Sequence, residues 1–181
     1  LIEKDVFEAK DLFLAHGRWN SWMHHSDFSS SSQEETLAKV NLRFVKAKNK
    51  IAKANWLMVT FGTAYVYIHK ETQEVVGNCH KMPERMFTRS MLDVKTIVNE
   101  WQDVLKKCRE ANPDLKVLFT VSPIRHAKDG LHGNQLSKAT LLLAIDELCR
   151  MYPDCFYFPS YEILMDELRD YRFYADDMVH L

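Results

Sequence analysis

The sequence predicts an α/β protein of three layers, α/β/α, around a mainly parallel central sheet. Three observations carry this. Short apolar runs at Trp56 to Phe61, Lys116 to Val121 and Cys155 to Phe158 suit strands. Longer stretches with three-four apolar spacing lie between and around them. The order strand, helix, strand, helix, strand, helix implies right-handed crossovers and helices on both faces of the sheet. The 181 residues are 46% hydrophobic and 27% charged, which fits one globular domain.

Asp5 to Ala15, with Val6, Phe7, Leu12 and Phe13, is expected to form a short helix, and Gly17 to Ser32 to be irregular. Ser32 with Glu35 has capping-box spacing, and Leu37, Val40, Phe44, Ala47, Ile51 and Ala54 follow on one helical stripe. Trp56 to Phe61 reads as a strand buried on both sides, with Val59, Leu118, Phe119 and Phe156 as core. Ala64 to Ile68 and Glu74 to Val76 read as a shorter pair of strands around a polar turn. Ser90 to Ala111 is a strong helix, with Val94, Ile97, Val98, Trp101, Val104, Leu105 and Cys108 inward and Asn112-Pro113-Asp114 as its stop. Asn134 to Met151 is a nearly apolar helix, and a short helix to Leu168 follows Pro159-Ser160.

Composition removes several function classes. A formal net charge of −1 supplies no bulk field for nucleic acid or an anionic membrane. The basic face of the Lys39 to Lys53 helix reads as a solvated face rather than a nucleic-acid surface. No apolar run approaches the roughly 18 residues of a membrane span. Cys79, Cys108, Cys149 and Cys155 form no C-x-x-C pair and read as thiols in a reducing compartment, which places the expectation in the cytoplasm. His24, His25, His80, His126, His132 and His180 lack a tight ligand spacing, so no metal and no cofactor is expected. Trp19, Trp22 and Phe28 read as packing residues rather than a pocket wall.

Polar residues follow each strand end, where parallel sheets place their sites. These are Gly62-Thr63, Gly77-Asn78-Cys79-His80, Ser122 to His126, and Ser160. Asp177 stands three residues before His180, a spacing that lets a carboxylate hold one imidazole nitrogen while the other faces a substrate. The Asn78 amide can donate to an oxyanion beside a Gly77 backbone, or Gly-Asn can be plain turn chemistry.

Longer strings carry a resemblance: T-F-G-T-A-Y-V-Y, V-V-G-N-C-H-K-M-P, F-T-V-S-P-I-R-H-A-K-D-G, Y-F-P-S-Y-E-I and L-R-D-Y-R-F-Y-A-D-D-M-V-H, preceded by G-R-W-N-S-W-M-H-H-S-D-F-S. In that order they resemble the GSCFA-domain family of bacterial proteins. Gly62, Asn78 and Asp177-x-x-His180 resemble blocks of the SGNH (GDSL-like) hydrolases. The resemblance implies an SGNH-hydrolase or flavodoxin-like sheet and a Ser-His-Asp site. His180 would be the base, Asp177 its orienter, and Gly62 and Asn78 oxyanion donors. His80, Arg125 and His126 fall in family strings and are expected to contact substrate. An ester or acetyl group of a carbohydrate or lipid is the implied substrate class. The string G-S-C-F-A, which carries the family's nucleophile, does not occur in this sequence. The chain is therefore expected to be a fragment lacking its first strand and inactive alone. The rival reading is a non-catalytic ligand-binding module on the same fold.

Overall fold

A computed structural model describes residues 6–181. The strands are β1 (Phe13–Ala15), β2 (Arg18–Asn20), β3 (Trp56–Phe61), β4 (Tyr65–His69), β5 (Val75–Val76), β6 (Phe87–Met91), β7 (Lys116–Val121) and β8 (Cys155–Tyr157). The helices are α1 (Gln33–Ile51), α2 (Val94–Ala111), α3 (Gly130–Met151) and α4 (Ser160–Glu162), which continues into a π-helical turn, Ile163–Glu167. The chain groups into two compact units. One comprises the described residues up to Lys53 with Val66–Ser90, the other Ala54–Tyr65 with Met91–Leu181.

The first unit corrects the reading of its opening segment. The expected helix over Asp5 to Ala15 is instead a 3-10 turn, Ala9–Asp11, followed by the β1–β2 hairpin; Asp5 lies outside the described residues. Ala15 pairs with Arg18, so His16 and Gly17 form a two-residue loop. Both have positive φ, 52° and 70°, the backbone a hairpin turn of this length requires. Gly supplies that conformation freely, and it overrides the weak helical spacing around it.

Trp22 stacks on Phe13 at 3.7 Å between ring centroids and meets Phe87 edge-on, so this tryptophan packs rather than lining a pocket. In α1, the Ser32 hydroxyl accepts from the Glu35 N–H at 3.1 Å, the forward half of the expected capping box. The return half is absent, because Glu35 pairs with Lys39 and Glu34 takes the Ser32 hydroxyl. Of the stripe the spacing marks, Val40 is fully buried and Leu37, Phe44, Ala47 and Ile51 are half-buried, and Thr36 beside it is fully buried as well. β4 pairs with β5 antiparallel, as expected, and with β6, a strand where the sequence pattern predicts a loop and the start of α2. Ser90 is in β6, and Asp93 caps α2 instead, accepting from the Thr96 N–H at 2.7 Å.

The second unit is the α/β core. Its parallel sheet has the order β3-β7-β8, with Val59 opposite Phe119 and Leu118 opposite Phe156. α2 and α3 pack together on the face carrying Val117, Phe119, Val121 and Cys155. Arg109 near the end of α2 grips Asp154 with two hydrogen bonds, 2.7 and 2.6 Å, and so ties the helix to the start of β8. None of the four cysteines forms a disulfide.

The sheet's other face departs from expectation. β3 was expected to be buried on both sides, but its burial alternates, and Met58 is 73% exposed. Across the sheet Phe156 is exposed and Leu118 only half-buried, so neither is the core residue expected. The physical reason is that both crossover helices of this unit lie on one side. The second helical layer of the three-layer expectation has no counterpart within this unit, while the α/β class with a parallel sheet is the one observed.

Candidate functional site

The carboxyl ends of β3 and β7 are held from behind by a buried lysine. Lys138 on α3 is 0% exposed, and its ammonium donates to the carbonyls of Gly62 and Ser122. Among the described residues no carboxylate pairs with it. Burial therefore pushes its pKa down from 10.5 to about 8. Ser137 works beside it, accepting from the Ala64 N–H at 2.7 Å and meeting the Thr63 hydroxyl at 3.0 Å. A peptide carbonyl and the N–H that follows it point in opposite directions. Drawing the Gly62 carbonyl inward to Lys138 thus turns the Thr63 N–H away from the core. His126 stands on the open side of Gly62: a Cβ added there would come within 3.5 Å of its Nε2. The His126 backbone is fixed by Asn134, whose Oδ1 accepts its N–H at 2.9 Å.

The second part of the site is the C-terminal segment. Asp177 Oδ2 and His180 Nδ1 are 2.6 Å apart. The same carboxylate accepts from the backbone N–H groups of Val179 and His180 at 2.9 and 3.0 Å. The His180 backbone N–H contributes most to pulling the Asp177 pKa down to about 2, followed by the imidazole and the Val179 N–H. Asp177 therefore stays ionised wherever an imidazole titrates and keeps its hold on Nδ1. His180 is exposed, and its Nε2 has no protein partner among the described residues.

Arg125 connects the two parts. Its backbone N–H donates to the Val179 carbonyl at 3.2 Å and its Nη1 to the Met178 carbonyl at 3.0 Å. Beside it lies a cavity of about 650 Å³ lined by Arg125, Gln135, Tyr161, Met165, Arg169 and Tyr174, among others.

Gly62, Arg125, His126, Asp177 and His180 thus share the second unit, whereas Asn78 and His80 belong to the first. There the Asn78 side chain accepts from the His80 N–H at 2.8 Å and donates to the His24 carbonyl at 3.3 Å, the work of a turn residue. His80 is buried, with Nε2 2.8 Å from the Ser21 carbonyl and its ring against Phe13. Of the serines after strands, Ser160 donates to the Val121 carbonyl at 2.8 Å, and Ser122 accepts from the Ile124 N–H at 3.3 Å. Among the described residues no cluster of three His, Cys, Asp or Glu could hold a metal ion, and no helix is long and apolar enough to cross a membrane.

The sequence reading missed Lys138 and Ser137. A signal was present: Asn134, Ser137 and Lys138 share one helical stripe with Leu141, Ile145 and Leu148. Three polar groups on a stripe that is otherwise core must find partners inside.

A family model, the GSCFA family, matches residues 1–181. No curated protein and no solved structure matches the chain. The chain belongs to the GSCFA family.

Proposed function

For this member of the GSCFA family we propose an SGNH-like serine hydrolase site of esterase type, acting on an acyl ester of a carbohydrate or lipid. The observation that carries the reading is the Asp177–His180 pair: a carboxylate on Nδ1 and an unpartnered Nε2, the arrangement of a base and its orienter. In this reading the nucleophile is the serine of the family's G-S-C-F-A string, which does not occur in residues 1–181. As its Oγ bonds to the acyl carbon, His180 Nε2 takes the hydroxyl proton and returns it to the departing alcohol oxygen when the ester bond breaks. The outward Thr63 N–H at Gly62 supplies a donor for the oxyanion. Substrate contact by His126, beside Gly62, belongs to the same proposal.

The test is fluorophosphonate labelling with p-nitrophenyl acetate turnover on this chain, on the full-length protein and on its His180→Ala variant. The full-length protein should label and turn over, His180→Ala should lose about 10³-fold or more in kcat, and this chain should do neither. Stoichiometric labelling of this chain, abolished by His180→Ala, would move the nucleophile inside it. A full-length protein that neither labels nor turns over would favour the non-catalytic binding module.

A further inference from the structure

The Asp177–His180 pair sits on a segment with little packing of its own. From Ala175 to Leu181 every residue except the half-buried Val179 is exposed. Its internal bonds close it on itself: Ala175 N–H to the His180 carbonyl, Met178 N–H to the Ala175 carbonyl, and the three bonds to Asp177. Such a turn can keep its own shape and still swing as a unit, because none of these bonds reaches the rest of the protein. The hydrogen bonds that leave the segment, among the described residues, both come from Arg125.

Arg125 is itself well fixed. Its guanidinium lies over the Tyr174 ring at 4.2 Å and within 5.6 Å of Tyr171, where a planar cation is held in one orientation. Tyr174 is anchored in turn by Met165, whose sulfur is 3.5 Å from its hydroxyl. Arg125 also stands in the short Ser122-Pro123-Ile124-Arg125 segment that leaves the end of β7, a strand of the core. A chain of contacts thus runs from strand to arginine to the carbonyls of Met178 and Val179, and so to His180.

We propose that Arg125 is a positioning residue that clamps the Asp177–His180 turn to the end of β7. This rests on the hydrolase reading above and replaces the expected role of Arg125 as a substrate contact. Its donors face the tail, and what it fixes is where Nε2 stands relative to Gly62 and Thr63.

The test uses the full-length protein with Arg125→Ala, Arg125→Lys and Tyr174→Leu, and reads two things. Backbone ¹⁵N order parameters of residues 176–180 should fall from rigid values to below about 0.6 in Arg125→Ala, with a partial fall in the other two. In turnover of p-nitrophenyl acetate, kcat should fall roughly 10- to 100-fold in Arg125→Ala, with KM changed by less than about two-fold and partial rescue in Arg125→Lys. Unchanged order parameters would overturn the proposal, as would a raised KM with kcat and tail order intact, the signature of a substrate contact. If Arg125→Ala does not fold, the same two readings on Arg125→Lys and Tyr174→Leu decide. Wild-type protein without turnover would count against the hydrolase reading, while the order parameters would still decide whether Arg125 holds the tail.

Discussion

Both faces of the parallel sheet carry large apolar side chains, and they meet opposite surroundings. On one face Val117, Phe119 and Val121 are at most 1% exposed under α2 and α3, while on the other Met58 is 73% exposed. Parallel strands ordinarily read as continuous apolar runs because both faces are covered. Here the sealed side is apolar, while the other mixes Trp56, Met58, Leu118 and Phe156 with Thr60, Lys116 and Thr120, and one side alone is sealed within the unit. An apolar side chain should therefore carry a very different free energy on the two sides, and that can be measured.

The largest expected effect is on the sealed face. Phe119 stacks parallel to Phe61 and meets Trp101 edge-on at 5.1 Å, with no exposed surface. Phe119→Ala should cost about 3–5 kcal/mol, the lost burial plus a cavity the surrounding rings cannot fill. Urea denaturation at pH 7 measures it. A cost below about 2 kcal/mol would mean that this face is not the centre of the core.

Next in size is Lys138, a fully buried charge beside that sealed layer. Its folded pKa of about 8 lies below its unfolded value of 10.5. Between those values the unfolded chain binds more protons, so stability rises with pH across pH 8 to 10.5 and carries the full penalty of the buried charge below pH 8. The shift corresponds to roughly 3 kcal/mol. Lys138→Met removes the titration, so the difference in stability between the two proteins should move toward wild type by about that amount from pH 7 to pH 10.5. Taking the difference cancels Cys155 and Tyr157, which both proteins share and whose raised pKa values oppose the trend. A gap that does not change with pH would show that the charge of Lys138 is already compensated in the fold.

Much of this was legible in the sequence. The bounds of β3 and β7 follow from apolar runs ended by Gly62 and Ser122, and α1 from Ser32, whose hydroxyl is the cap its spacing suggests. What was not legible has identifiable causes. The hairpin at Ala15–Arg18 rests on a positive φ at His16, a residue type that does not announce it. β6 carries the polar Thr88, Arg89 and Ser90 beside β4, too weak a pattern to separate from a helix start. Which face of β3 is covered depends on which side the crossover helices take, and Thr60 on the open face is a faint mark of it beside the apolar Trp56 and Met58. In the site, the Asp177–His180 spacing was readable because its contact is local, whereas the grip of Lys138 on Gly62 joins residues 76 apart in sequence.

Leu118 tests the comparison at closer range, since it neighbours Phe119 on the same strand and points the other way. It is half-buried and lies opposite Met58 on one side and Phe156 on the other. Leu118→Ala should cost about 1–2 kcal/mol, below the 2–5 kcal/mol of a sealed site. A cost matching that of Phe119 would show that this face is covered in solution.

The smallest effect is expected at Met58, and it breaks the comparison most directly. The residue lies on β3, an edge strand of its sheet among the described residues, with most of its side chain in solvent. Lysine is a poor probe here, because Lys116, opposite Trp56 on the same face, would repel it. Threonine brings the β-branched shape that strands favour and a hydroxyl that costs nothing in water. Met58→Thr should therefore change stability by less than about 0.5 kcal/mol. If the side chain were sealed, the same substitution would bury an unsatisfied hydroxyl and lose most of a methionine's packing, at a cost of about 2 kcal/mol or more. The two outcomes are far enough apart for a single pair of urea titrations to tell which face of β3 the protein leaves in water.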